Sequence, residues 1–188
     1  MAVASEIELV ASGLRLWRVY DPAVKAELYS TALAVAESTY LIDPVPLTPA
    51  ALAELSSQSV IAGVVVTNEN HQRAAAEFAD KFEAPIYSDG SQPFPPGLTA
   101  VQIEGAVAGE IAVHSDAAGG IVIMGDALIN FEPHGFTFLP AKYCSNAKAM
   151  RRSLPKLLDY SFERMFFAHG TPILSGARRR LEQLLENH

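Results

Sequence analysis

Val64-Val65-Val66-Thr67-Asn68-Glu69-Asn70-His71-Gln72-Arg73 is the stretch on which the fold turns: an apolar run stops abruptly and polar side chains follow. Residues 60–66 carry no polar alternation, the pattern of a strand buried on both faces. Across residues 71–82, Ala75, Phe78, Ala79 and Phe82 recur at helical spacing, which predicts an amphipathic helix. Such a strand-to-helix junction gathers free helix amides and polar side chains, and α/β proteins place ligands there. The competing reading is structural: Asn68 or Asn70 caps the helix and the other polar groups are solvated.

Upstream, residues 14–20, 26–36 and 38–42 read as strands, with turn chemistry at Asp21-Pro22 and a stop at Asp43-Pro44. Thr48-Pro49 supplies an N-cap and a first-turn proline for a short helix over 50–55. Downstream, 85–87 is a short strand, 88–97 a loop rich in Gly, Pro and Ser, and 98–103, 110–114 and 120–124 are strands. Residues 130–144 form a long connection bearing Phe131, Phe136, Phe138 and Tyr143, positioned to cover a pocket, a second subunit or the protein's own core. A helix over 147–160 is started or kinked at Pro155, 164–167 is a strand, and 175–186 is a terminal helix. Strands and helices mixed in this way fit an α/β (α+β) domain, two sheets covered by outer helices, spanning residues 1–188 as one unit.

The 188 residues carry 14 Lys+Arg against 21 Asp+Glu, a formal charge of −7, which disfavours a protein built to grip nucleic acid. Cys144 is the one cysteine, so no internal disulfide is expected and no oxidising compartment is needed. Apolar runs such as 61–66 are too short to cross a bilayer, and Glu6 and Glu8 stand where a secretory signal carries a basic start. The expectation is a cytoplasmic protein without nucleic-acid or membrane partners. Two more strand ends carry polar groups: Ile121-Val122-Ile123-Met124-Gly125-Asp126 and Phe166-Phe167-Ala168-His169-Gly170. Each alone reads as a turn or cap, but three together point to a site. Cys144 would need a histidine brought close by folding to act as a nucleophile, and His114 and His134 read as surface groups.

In this order the features resemble the metallo-β-lactamase fold hydrolases. An aspartate follows a strand at Leu41-Ile42-Asp43, a Thr-led motif follows a buried strand, and a Gly-x-x-x-Gly turn spans 105–109; Gly125-Asp126 and His169-Gly170 come next. The resemblance runs from about Leu14 to Leu185 and implies a four-layer αββα sandwich with its site along one sheet edge. The family pattern T-H-x-H-x-D-H, a later histidine, a G-D aspartate and a last histidine hold one or two metal ions that make a nucleophilic hydroxide. Laid on this chain, Thr67 matches, Asn68 and Asn70 replace the first two histidines, Gln72 the aspartate, and Arg73 the third histidine. Ala106 replaces the next histidine, Asp126 and His169 match, and His71 falls on an unconstrained position between ligands.

The resemblance therefore implies a metal-free relative that keeps the pocket and binds a small polar molecule or a partner protein. Asn68, Asn70, Gln72, Arg73, Asp126 and His169 are its candidate binding residues, and a homodimer is open. The alternative is a hydrolase acting on an ester, thioester or similar bond through a rebuilt site. That site draws on Glu69, His71, Asp126 and His169, with one zinc, iron or manganese ion or none. Asp126 and His169 are expected within about 8 Å of each other. The Asn68 and Asn70 amides are expected to bond to backbone or to each other. Arg73 is expected to stand in for the lost metal by pairing with Asp126 within about 4 Å.

Overall fold

The computed structural model describes residues 2–89 and 93–187, so part of the loop expected over 88–97 lies outside the described residues. In chain order the strands and helices are β1 (Glu8–Ala11), β2 (Leu14–Asp21), β3 (Ala26–Val35), β4 (Ser38–Ile42), α1 (Pro49–Gln58), β5 (Val60–Val65), α2 (Ala75–Phe82) and β6 (Ile86–Tyr87). There follow β7 (Thr99–Gln102), β8 (Ile111–Ser115), β9 (Ile121–Met124), β10 (Leu128–Phe131), β11 (Gly135–Phe138), α3 (Ala147–Ser153), β12 (Arg164–Phe167) and α4 (Ala177–Glu186). One sheet has the order β1-β2-β3-β4-β5-β6, a second the order β12-β9-β8-β7, and β10 pairs with β11 as a separate hairpin.

Strand alternation builds the layers. In β5 and the residue after it, Val64 and Val66 pack with Leu52, Leu55, Ala75 and Phe78 of α1 and α2, whereas Val65 faces the second sheet. In β9, Ile121 and Ile123 face the first sheet, while Val122 and Met124 pack toward Met150 of α3 and Leu181 of α4. Three apolar cores thus alternate with four layers, and the fold is an αββα sandwich. Both faces of β5 and β9 are covered, which is why neither strand shows polar alternation.

Three elements differ from the sequence expectation. The helix expected over 71–82 begins only at Ala75, behind a single 3₁₀ turn over Glu69–His71. Arg73 takes a left-handed φ of 36° between them, and the Ala74 amide donates to the Pro44 carbonyl instead of continuing a helix. The connection over 130–144 contains most of the β10–β11 hairpin, because Pro133 lies in its turn and Pro140 just beyond its end. β1 went unread because it is a short edge strand bearing an exposed Glu8. The helix over 147–160, by contrast, meets the expectation at Pro155: it breaks at Leu154 into a 3₁₀ segment, where the proline has no amide to donate.

Parallel pairing sets the site's position. β4 runs parallel to β5 and β9 parallel to β12, and the polar groups after all four strands leave at one edge. β8 is antiparallel to β9, so its first residues arrive at that same edge. Two backbone bonds join the sheets there: Ile111 N to Thr67 O at 2.8 Å and Tyr29 N to Ala168 O at 3.0 Å.

Gly170 fixes the chain directly after His169. Its φ is +114°, and a Cβ built on it would lie 2.2 Å from the Asn130 carbonyl oxygen. Gly170→Ala is expected to cost about 2 kcal/mol or more, combining backbone strain with a clash against main chain. A lower urea midpoint at unchanged slope is the expected result, and an unaltered midpoint would contradict the close approach.

Candidate functional site

Asp43 follows β4 and is almost fully enclosed, at 2% exposure. Its carboxylate accepts from the Thr67 amide at 2.8 Å, from Thr67 Oγ1 at 2.5 Å and from His71 Nδ1 at 2.9 Å. Its carbonyl accepts from Ser30 Oγ at 2.8 Å and from an Arg73 guanidinium nitrogen at 2.9 Å. The other face of the His71 ring turns to Asp126, with Nε2 3.3 Å from Oδ1. His169 Nε2 lies 3.3 Å from that same oxygen, and its Nδ1 lies 3.3 Å from the Glu27 carbonyl. His71, Asp126 and His169 each present a ligand atom within 4.8 Å of the other two.

Glu110 stands just before β8 and is 2% exposed. Its Oε1 accepts from the Asp126 and Ala127 amides, both at 2.8 Å, and its Oε2 accepts from Asn68 Nδ2 at 2.8 Å. Asn68 Nδ2 also reaches Asp126 Oδ2 at 3.1 Å, while its Oδ1 accepts from the Asn70 amide at 2.9 Å. A Cβ on Gly125 would lie 2.8 Å from Glu110 Oε1 and from Thr67 Oγ1, so this residue is held to glycine by its neighbours.

Burial opposes every charge here, and the neighbours decide the outcome. For Asp43, desolvation is outweighed by His71, Arg73 and the Thr67 hydrogen bond, and its pKa falls below the ordinary value. For His71, burial is overcome by Asp43 and by hydrogen bonds to Asp126 and Asp43, which raise it to about 9. Asp126 is pulled to about 2 against its desolvation by His71, His169 and Arg73. Burial, with His71 and Arg73 nearby, drives His169 to about 4 despite Asp126. Glu110 is raised to about 8 by burial and by Asp126, against the Ala127 amide and Asn68.

The expected groups divide sharply. Asp126, His169, Asn68 and His71 are brought together, and His71 is central to the cluster. Asn70 and Gln72 are exposed, and neither side chain joins its hydrogen bonds. A 3₁₀ turn places side chains three apart on one face, so Asn68 and His71 turn inward and Glu69, Asn70 and Gln72 outward. The expected Arg73–Asp126 ion pair is absent among the described residues. The left-handed backbone instead sends the guanidinium to the carbonyls of Tyr29, Asp43 and Ala168 at 2.7, 2.9 and 3.4 Å. Ala106 is sealed in the outer core. His114, expected at the surface, is buried with Nε2 3.1 Å from the Ser161 carbonyl, and Cys144 packs beside Met150. Asp43 and Glu110 were not among the sequence candidates; a carboxylate heading the apolar run Ile111-Ala112-Val113 was the available signal for the second.

The sequence model of the metallo-β-lactamase superfamily matches residues 8–187. The chain belongs to the metallo-β-lactamase superfamily. Among solved members of the fold it resembles the metallo-β-lactamase DIM-1, with a TM-score of 0.71 at 14% identity over 99% of this chain and 98% of that one. FIM-1 from Pseudomonas aeruginosa, in its mono-zinc form, gives a TM-score of 0.70 at 11% identity over 99% and 96%. A metallo-β-lactamase from Hirschia baltica gives 0.66 at 14% over 98% and 97%. The search of curated protein sequences returned no match. No helix among the described residues is long and apolar enough to cross a membrane.

The titrations predict an alkaline loss of stability in chelator-treated protein. His71 is raised from 6.5 to about 9, so the stability it confers is complete below pH 6.5 and gone above about 9. Glu110 is raised from 4.5 to about 8, and its contribution likewise disappears as pH climbs to that value. Asp126, lowered from 3.8 to about 2, acts oppositely and only in acid. The urea midpoint should therefore fall from pH 6 to pH 9, and His71→Gln should flatten that slope. A level wild-type profile would refute the assignment.

Proposed function

We propose that this chain is a hydrolase whose site holds a single first-row divalent cation, zinc, iron or manganese, on His71, Asp126 and His169. The observation that carries the reading is that each imidazole lies between two oxygen acceptors, Asp43 and Asp126 for His71, the Glu27 carbonyl and Asp126 for His169. A neutral imidazole has one N–H and satisfies one end. With Nδ1–H committed to Asp43 or Glu27, each Nε2 lone pair faces the same Asp126 oxygen, and one cation serves both. Two imidazoles and a carboxylate are a donor set suited to these metals, and three protein ligands leave a position open.

A cation there supplies Lewis acidity and lowers the pKa of bound water toward neutrality. The protein's own groups prepare the site. Asp43 fixes the His71 tautomer, the Glu27 carbonyl orients His169, and Arg73 adds positive charge beside Asp43 while bonded to main chain. A cleft of about 370 Å³ opens at His169 between Tyr20, Tyr29, Asn130, Phe131 and Thr171, room for a small substrate. An ester, thioester or similar bond is the substrate class this reading carries. It is supported by membership of a superfamily whose solved neighbours are metallo-β-lactamases, one of them described in a mono-zinc form.

The second reading, a metal-free pocket for a small polar ligand or partner, draws on the His71 value of about 9. A protonated His71 and Arg73 offset Asp43 and Asp126 without any cation. Metal analysis after extended dialysis separates the two. The first reading expects close to one equivalent of zinc, iron or manganese per chain, lost in Asp126→Ala together with cation-dependent turnover of a simple thioester. Protein that neither retains nor takes up a cation establishes the second.

A further inference from the structure

We infer that Glu110 is a positioning residue that sets the direction of the Asp126 carboxylate, an assignment resting on the cation site proposed for Asp126. One carboxyl group grips the aspartate at both ends. Oε1 takes the Asp126 and Ala127 amides and fixes the main chain of the turn after β9. Oε2 takes Asn68 Nδ2, which in turn holds Asp126 Oδ2 at 3.1 Å and leaves Oδ1 facing the two imidazoles. Asn68 is itself fixed, because its Oδ1 accepts the Asn70 amide. Glu110 and Asn68 are both buried, Gly125 is excluded from carrying a side chain by Glu110 and Thr67, and so the linkage has little room to relax.

Glu110→Gln tests this with nearly unchanged shape. Its amide oxygen can still accept the Asp126 and Ala127 amides, but its NH₂ then faces Asn68 Nδ2, donor against donor. Turning the Asn68 amide over would set its oxygen against Asp126 Oδ2 and give up the Asn70 contact. Either way the Asp126 tether is lost while the turn keeps its backbone bonds. Chelator-treated wild type, Glu110→Gln and Asn68→Ala are titrated with zinc by calorimetry, and the imidazole ¹⁵N resonances of zinc-free protein are recorded alongside. Zinc affinity should drop roughly tenfold or more in both variants, as for loss of a group that orients a ligand. The His71 and His169 Nε2 resonances should move while those of His114 stay in place.

If Glu110→Gln fails to fold, Asn68→Ala, which leaves the Glu110 amide contacts intact, carries the same expectation. Unmoved His71 and His169 resonances in the folded variants overturn the assignment whatever the zinc affinity. A wild-type protein that takes up no zinc, iron or manganese overturns the cation site instead, and the imidazole resonances still decide the role of Glu110.

Discussion

Asp43 is a carboxylate almost fully enclosed just past the end of β4, and burying such a charge is tolerated only with full compensation. Thr67 supplies two hydrogen bonds, His71 a third, and Arg73 positive charge beside it. These partners come from the chain that leaves β5, so satisfying one charge dictates the course of that segment. Thr67 must directly follow the strand, His71 must lie one short turn later, and Arg73 must bend away left-handed to reach the Asp43 and Ala168 carbonyls. The last contact ties the first sheet's edge to the end of β12, where His169 begins.

The consequence is a polar cluster laid out along a line from interior to cleft. Asp43 is innermost, His71 spans it to Asp126, and His169 is the most open member, with its side chain 19% exposed. Along this line each imidazole touches an oxygen at both ends, and a neutral ring can donate to only one of them. Such an arrangement is costly at low dielectric unless a proton or cation occupies the gap at Asp126 Oδ1. His71 and His169 do not share the burden equally. The inner ring is pushed toward the charged form by two carboxylates, the outer one away from it by burial, with His71 and Arg73 adding to that against Asp126.

Much of the architecture was legible in the sequence, because β5, β9 and β12 are buried on both faces and read as unbroken apolar runs. Their polar terminations at Asn68, Asp126 and His169 also marked the edge where the site lies. What could not be read was the turn after Thr67. A helix through His71 and a 3₁₀ turn ended by a left-handed Arg73 share one apolar pattern downstream, since both deliver Ala75 and Phe78 to the same core. The choice between them is made by tertiary contacts, the Asp43 carboxylate and the Pro44 carbonyl, with no trace in local spacing. Glu110 was hidden differently: it precedes a strand rather than following one, and only antiparallel pairing of β8 with β9 brings it to Asp126.

That short turn also decides which side chains after β5 join the cluster. The resemblance drawn from the sequence implies ligand positions at Asn68, Asn70, Gln72 and Arg73, while three-residue periodicity turns only Asn68 and His71 of the short turn inward here. Asn68 meets two carboxylate oxygens, so an amide that donates fits there. The imidazole arrives one turn later, already oriented by Asp43. Asp126 and His169 stand where they do because β9 and β12 end where parallel pairing puts them, independent of the segment after β5. Half of the cluster is thus set by the second sheet, and the other half by how one buried aspartate in the first sheet is satisfied.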